Sequence, residues 1–277
     1  GSLPAHFFDG ESLLVLDVHG NEFTGPLPEF TQNVKLNFLA LHENGFAGPI
    51  PNTISNLQGL QHLDMTSNAL TEFAPGMSDM VTLEYLFLAN NDFNPGPVPD
   101  FVRDLTQLRD LSLKDTQRTG EIPTWFGELD NMFYLDLDSN QLGGNIPSEI
   151  GDMVSMVFLQ LQRNNLMGEI PASFGNLTNF QYIDIENNTL TGNMDVICAI
   201  KDSPDSWLVA DCGGATPEIE CACCTTCCED VNSESCNELD MLGQLDPIWE
   251  NGYNRYGLYT FQDFNITGDN DSDGGAA

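Results

Sequence analysis

Five cysteines stand within eight residues, Cys221, Cys223, Cys224, Cys227 and Cys228, in the run "CACCTTCC". A thiolate is a nucleophile, a soft metal ligand or half of a disulfide. Cys221-x2-Cys224 and Cys224-x2-Cys227 both fit zinc-type spacing, so spacing alone does not decide. The remaining cysteines, Cys198, Cys212 and Cys236, lie close by, and the first 197 residues contain none. An even number gathered at one end is the layout of a terminal staple. Four N-x-S/T sequons, at Asn176, Asn187, Asn265 and Asn270, point with the cysteines to the oxidising secretory route and an extracellular or cell-surface location. There thiols pair, so the octet reads as a disulfide clamp, with zinc binding and redox chemistry as weaker alternatives. A bridge of the Cys198–Cys212 type would close a loop of about 15 residues and contribute about 3 kcal/mol. The connectivity is left open.

Other chemistry is sparse. His19, His42 and His62 are weak candidates for Zn2+ or Cu2+, against the plainer reading of ordinary surface histidines. "DNDSDG" (269–274) matches the first six positions of a calcium-binding loop. Its twelfth position falls beyond residue 277, so calcium is a weak expectation and no cofactor is assigned. No G-x-S-x-G, H-E-x-x-H, P-loop or kinase pattern occurs, and no residue is read as catalytic.

The formal net charge of -34, from 42 acidic and 8 basic residues, disfavours nucleic acid and anionic membranes. It favours cations and basic partners. No run of about 18 apolar residues is present to span a bilayer. The oligomeric state is not legible.

The elements that must carry these residues come from a repeat. Through 1–195 the pattern L-x-x-L-x-L-x-x-N-x-L-x-G-x-I-P returns about every 24 residues, within the range of leucine-rich repeats. Its Asn position falls at Asn21, Asn44, Asn68, Asn91, Thr116, Asn140, Asn164 and Asn188. Apolar residues at alternate positions, such as Leu16 and Val18, turn one face of a short strand inward. Successive strands then stack into a parallel sheet, because no repeat buries its apolar face alone. Buried Asn side chains must form a ladder, since an unpaired buried amide is costly. Repeats three to five are irregular: "LTEFAPGM" lacks the Gly, "NPGPVP" carries an extra residue, and "LRDLSLKDTQRTGEIP" has Thr116 for Asn and Arg118 for Leu.

"TGEIPTWFGELDNM" (119–132) and "GNIPSEIGDMVSM" (144–156) resemble the plant-type leucine-rich repeats of receptor kinases, receptor-like proteins and polygalacturonase-inhibiting proteins. The resemblance covers roughly 3–195. It implies an α/β solenoid: a right-handed superhelix of about eight repeats with a parallel concave β-sheet and an extra short strand per repeat. "ADCGGATPEIECACCTTCC" (210–228) resembles the disulfide-rich C-terminal cap of diatom leucine-rich-repeat proteins. Three parts follow: a solenoid over 1–195 that begins mid-repeat, with upstream sequence expected; a Cys-rich cap over 196–236, with a last strand in "SWLVADC" (206–212); and an acidic, aromatic segment and tail over 237–277.

Such repeats bind through the concave sheet, whose outward positions lie six, four and two residues before each Asn. The first column holds Phe38, Tyr85, Tyr134, Phe158 and Tyr182; the second holds Phe87, Asp136 and Asp184; the third holds Asp138 and Glu186. These ten are the expected contact residues, an aromatic stripe with an acidic end. The plainer reading is strand-forming rings on a uniformly acidic surface. An alternative contact site is a basic island, Arg109, Lys114 and Arg118, set against internal pairing with neighbouring aspartates. The resemblance implies a receptor-like or adhesion module that recognises a peptide, protein or glycan, with a co-receptor as a further partner. The alternatives are a secreted inhibitor of a wall-degrading enzyme and an acidic, cation-binding matrix protein.

Overall fold

A computed structural model describes residues 1–8, 12–31, 35–201 and 206–229, all within one compact unit, Gly1–Cys236. Cys236, Asn265, Asn270 and the 237–277 segment lie outside the described residues.

Each repeat supplies one three-residue strand: Val15–Asp17, Phe38–Ala40, His62–Asp64, Tyr85–Phe87, Asp110–Ser112, Tyr134–Asp136, Phe158–Gln160 and Tyr182–Asp184. They pair in parallel and in chain order. Every residue faces its counterpart one repeat away, as Leu135 faces Leu111 and Leu159. Alternation enforces this register, because a one-residue slip would turn every leucine outward. The central residues Leu39, Leu63, Leu86, Leu111, Leu135, Leu159 and Ile183 are fully buried in one continuous core.

The Gly-x-Ile-Pro segments form the extra strands. Thr119–Glu121, Gln141–Asn145, Asn165–Glu169, Thr189–Asn193 and Ile219–Glu220 make a five-stranded sheet, and Thr24–Gly25, Gly45–Pro49 and Ala69–Glu72 a three-stranded one. The break falls at "NPGPVP", where only the isolated bridge Gly96–Arg118 remains. The extra residue there shifts the chain out of step. Gly168 adopts φ +83°, a conformation that favours glycine, and an added Cβ would also displace the Asn145 side-chain amide, whose Oδ1 it would meet at 2.6 Å.

The side opposite the principal sheet is built from short 3-10 turns. After each Pro the chain makes a short 3-10 turn, such as Ser148–Asp152 or Ala172–Asn176, and the sole α-helix among the described residues is Asp195–Cys198. About ten residues separate each Pro from the next strand, room for one tight turn. Neighbouring turns touch closely: a Cβ on Gly151 would sit 2.4 Å from the Ser173 carbonyl oxygen.

The asparagines form the expected ladder. Asn164 Nδ2 donates to the carbonyls of Leu137, Leu161 and Gln162 at 2.9, 3.1 and 3.2 Å, and its Oδ1 accepts the Leu142 N–H at 3.0 Å. Asn44, Asn68, Asn91, Asn140 and Asn188 repeat the scheme. To aim the amide inward, the residue before each takes φ between +51° and +55°: Glu43, Ser67, Asn90, Ser139, Arg163 and Asn187.

At the C-terminal end the principal sheet gains the expected strand, Trp207–Ala210, opposite Tyr182–Asp184. It gains a second from inside the octet: Thr226–Cys227 pairs with Val209 and Ala210. Disulfides join Cys198 to Cys223, Cys212 to Cys227 and Cys221 to Cys224. Cys198 therefore pairs with Cys223 rather than Cys212, and the Cys221-x2-Cys224 spacing belongs to a disulfide. Cys228 is also disulfide-bonded. These bridges tie the last two strands to the last turn of the core.

The ladder makes one expectation quantitative. Asn164→Ala strands three buried carbonyls and one N–H, so unfolding in urea is expected to show a loss of roughly 2–4 kcal/mol. A loss below about 1 kcal/mol would mean that water replaces the amide at no penalty.

Candidate functional site

The outward columns line up because the strands share one register. From Phe38 to Glu186 the ten expected contact residues stand on the sheet face opposite the leucine core and outside that core. They are not solvent-facing as the alternation suggested; all ten are buried. Ring-to-ring packing explains part of this. Phe38 stacks on His62 with centroids 4.4 Å apart, and Phe87 meets His62 edge-on at 5.5 Å. Phe158 lies 5.6 Å from Phe133, and the Arg109 guanidinium covers Tyr85 and Phe133.

Over repeats five to eight the face becomes a polar network. Ser112 Oγ donates to Asp136 Oδ2 at 2.8 Å. The Tyr134 hydroxyl donates to Gln160 Oε1 at 2.8 Å, with Asp136 Oδ2 at 3.3 Å. The Tyr182 hydroxyl donates to Asp184 Oδ2 at 2.8 Å. Backbone N–H groups of Asp138 and Glu186 donate to Asp136 Oδ1 and Asp184 Oδ1. In the third column Asp138 receives Lys114 Nζ at 3.1 Å and Arg163 Nε at 2.9 Å. The arrangement sets hydroxyls, carboxyl groups and amides in rows along the sheet.

Burial sets the charge states. Desolvation pushes the Asp110 carboxyl up to about 8. Desolvation and then the adjacent Asp138 charge raise Asp136; desolvation and then Glu186 raise Asp184 well above the carboxylate range. Of the three, Asp110 is carried past neutrality.

The basic island disperses. Arg118 is buried under Phe73, and its guanidinium donates to the carbonyls of Thr116, Pro97 and Asn94. Burial lowers its pKa to about 10. The Thr116 hydroxyl itself donates to the ladder carbonyl of Leu113 and lies beside Asn140 Oδ1, while Arg118 serves a different set of carbonyls. Arg109 donates to the Tyr85 hydroxyl, Lys114 pairs with Asp138, and Arg103 pairs with Glu128.

The histidines cluster as the columns imply. His19 and His42 stack at 4.5 Å, and their Nδ1 atoms meet Asp17 at 2.5 Å and Asp64 at 3.1 Å. Burial opposes protonation of His42, yet Asp64, by hydrogen bond and charge, raises its pKa. Burial lowers His62 to about 4. Among the described residues, the groups of three with metal-ligand geometry are cysteine trios, and their cysteines are all in disulfides. Asn176 and Asn187 are exposed.

Sequence reasoning did not single out Ser112, Gln160, Gln162 or Arg163. The first three stand in the same columns, and attention to charged and aromatic types passed over them. Arg163 occupies the positive-φ turn before Asn164, a position the repeat pattern does not mark as facing the sheet.

Residues 131–153 and 155–177 match the Leucine Rich Repeat family model. Among solved structures, the chain is similar to a TDR receptor at 30% identity and a TM-score of 0.66, over 70% of this chain and 34% of that one. It is similar to the Arabidopsis receptor kinase HAESA, solved in complex with a peptide hormone and a co-receptor, at 32% identity and a TM-score of 0.67, over 70% of this chain and 33% of that one. A plant ice-binding protein shares the fold at 22% identity and a TM-score of 0.59, over 80% of each chain. The chain spans about a third of the length of the two receptors. Among the described residues, no helix is long and apolar enough to cross a membrane.

The raised acids predict an unusual pH response. Because Asp110, Asp136 and Asp184 have raised pKa values, the folded chain binds more protons than the unfolded one above pH ~4, and stability falls as pH rises toward 8. Raised His42 acts in the same direction above its unfolded value; lowered His62 and Asp64 act oppositely, losing stability as pH falls. Thermal melts should give a higher Tm at pH 5.5 than at pH 8, and Asp184→Asn should flatten that slope. An equal slope in wild type and variant would contradict the assignment to Asp184.

Proposed function

We propose that this leucine-rich-repeat solenoid is an extracellular ligand-binding module of a receptor-like or adhesion protein, with a peptide recognised on the principal sheet at repeats five to eight. The single observation that carries the reading is the hydrogen-bonded row of Tyr134, Asp136, Gln160, Tyr182 and Asp184 on one face of a register-locked sheet. Tyrosine supplies broad contact area at low conformational cost and a polar handle, which suits recognition. The network positions groups for hydrogen bonding to a peptide backbone. The similar receptor structures, HAESA with its bound peptide hormone among them, support a peptide over a glycan. They support a co-receptor as a further partner. Three disulfides and two exposed sequons fit the secretory route.

The test uses the secreted, disulfide-intact chain against a random peptide display library and a glycan array side by side. Peptides are expected to enrich and the strongest to bind at micromolar Kd, with Tyr182→Phe, which keeps the buried ring, weakening them at least ten-fold while Tm stays within a few degrees. Enrichment of glycans without peptides, or peptide binding indifferent to Tyr182→Phe, would contradict the reading.

A further inference from the structure

Gln162 stands two residues beyond Gln160, in the column that places it between Asp138 and Glu186. Its side chain is fully buried, and among the described residues neither Nε2 nor Oε1 meets a hydrogen-bond partner. The nearby ladder amides differ sharply: Asn140, Asn164 and Asn188 each satisfy donor and acceptor alike. A primary amide left buried and unmatched is a stored demand for a partner.

The surroundings say what kind of partner. On one side, one strand away, Asp138 already holds Lys114 and Arg163. On the other side stand Asp184 and Glu186. Asp184 accepts from the Tyr182 hydroxyl and the Glu186 N–H, and among the described residues no cation pairs with it. Beside burial, the Glu186 charge raises the cost of ionising Asp184, a cost that an arriving cation lowers. A glutamine amide presents a donor beside an acceptor, the complement of the C=O and N–H of a peptide backbone. An extended peptide advances about 3.3 Å per residue and strands lie about 4.8 Å apart, so a side group one residue along reaches the next strand.

We propose that Gln162, Asp184 and Glu186 form a subsite for a peptide segment bearing lysine or arginine, the amide engaging the ligand backbone and the carboxylates its cation. This deepens the peptide-binding reading above and rests on it.

The test uses two libraries of blocked heptapeptides, random except for a central arginine or its neutral isostere citrulline, measured by fluorescence anisotropy against the whole disulfide-intact protein. The arginine set should contain binders at least ten-fold tighter than any in the citrulline set. Gln162→Met and Glu186→Gln should each weaken those binders at least ten-fold, while Asp130→Asn, which removes a charge at an exposed turn, leaves them within two-fold. Equal binding of arginine and citrulline peptides would overturn the subsite and leave the peptide reading standing. Loss of affinity as large in Asp130→Asn as in Glu186→Gln would also overturn it, as general attraction to an acidic protein. Absence of binding to either library would overturn both. The two-library comparison on wild type stands even if a variant does not fold.

Discussion

One side-chain amide per turn holds the solenoid together. The sheet strands are three residues long, too short to satisfy the backbone that leaves and enters them. At each turn an asparagine closes four of those backbone groups, three carbonyls and an N–H, joining two successive repeats. The leucine core supplies the bulk of the stabilisation and, by alternation, sets which face turns inward, but hydrophobic contact is itself non-directional. The ladder supplies direction. It also demands a residue at positive φ immediately before it, a local strain of about 1 kcal/mol that only a well-bonded amide offsets. Repeat five departs from the scheme: Thr116 replaces Asn and its hydroxyl keeps only the bond to the Leu113 carbonyl, while Arg118 is buried against the carbonyls of Asn94, Pro97 and Thr116 in the irregular segment.

Register is what the ladder delivers to the site. With every strand locked to its neighbour, residues about 24 apart in sequence become neighbours about 4.8 Å apart in space. The result is a row in which Ser112, Asp136 and Tyr134 connect to Gln160. Carboxyl groups brought this close, and removed from water, resist ionisation. The repeat thus converts a weakly patterned acidic sequence into a face with defined hydrogen bonding and unusual protonation. The disulfides serve the same end differently. They hold two further strands against the last repeat, so that the row ends on a covered edge.

The period of the asparagines was enough to locate all eight strands, the ladder and the residues of each outward column. These rest on local spacing, which a sequence displays directly. The burial of those columns was not legible, because it depends on what rings and acids do to one another across strands. Nor was the role of Arg118: its charge suggested a ligand, whereas its reach to three carbonyls depends on the fold of repeat four. The 3-10 turns follow from a repeat too short for an α-helix, a consequence of length visible only once both ends are pinned. The second cap strand, Thr226–Cys227, lay hidden inside a cysteine run whose bonding cannot be read from spacing. Gln162 was overlooked for a related reason. A neutral amide draws attention only when its partners are seen to be missing.

The central claim is that a rigid, ladder-held sheet presents its polar columns at repeats five to eight to a peptide. Hydrogen–deuterium exchange with mass spectrometry, on the protein alone and saturated with a bound peptide, tests it most directly. The account predicts added protection confined to 110–116, 134–140, 158–164 and 182–188. Added protection confined instead to the 3-10 turns at 124–128, 148–152 and 172–176 would contradict it.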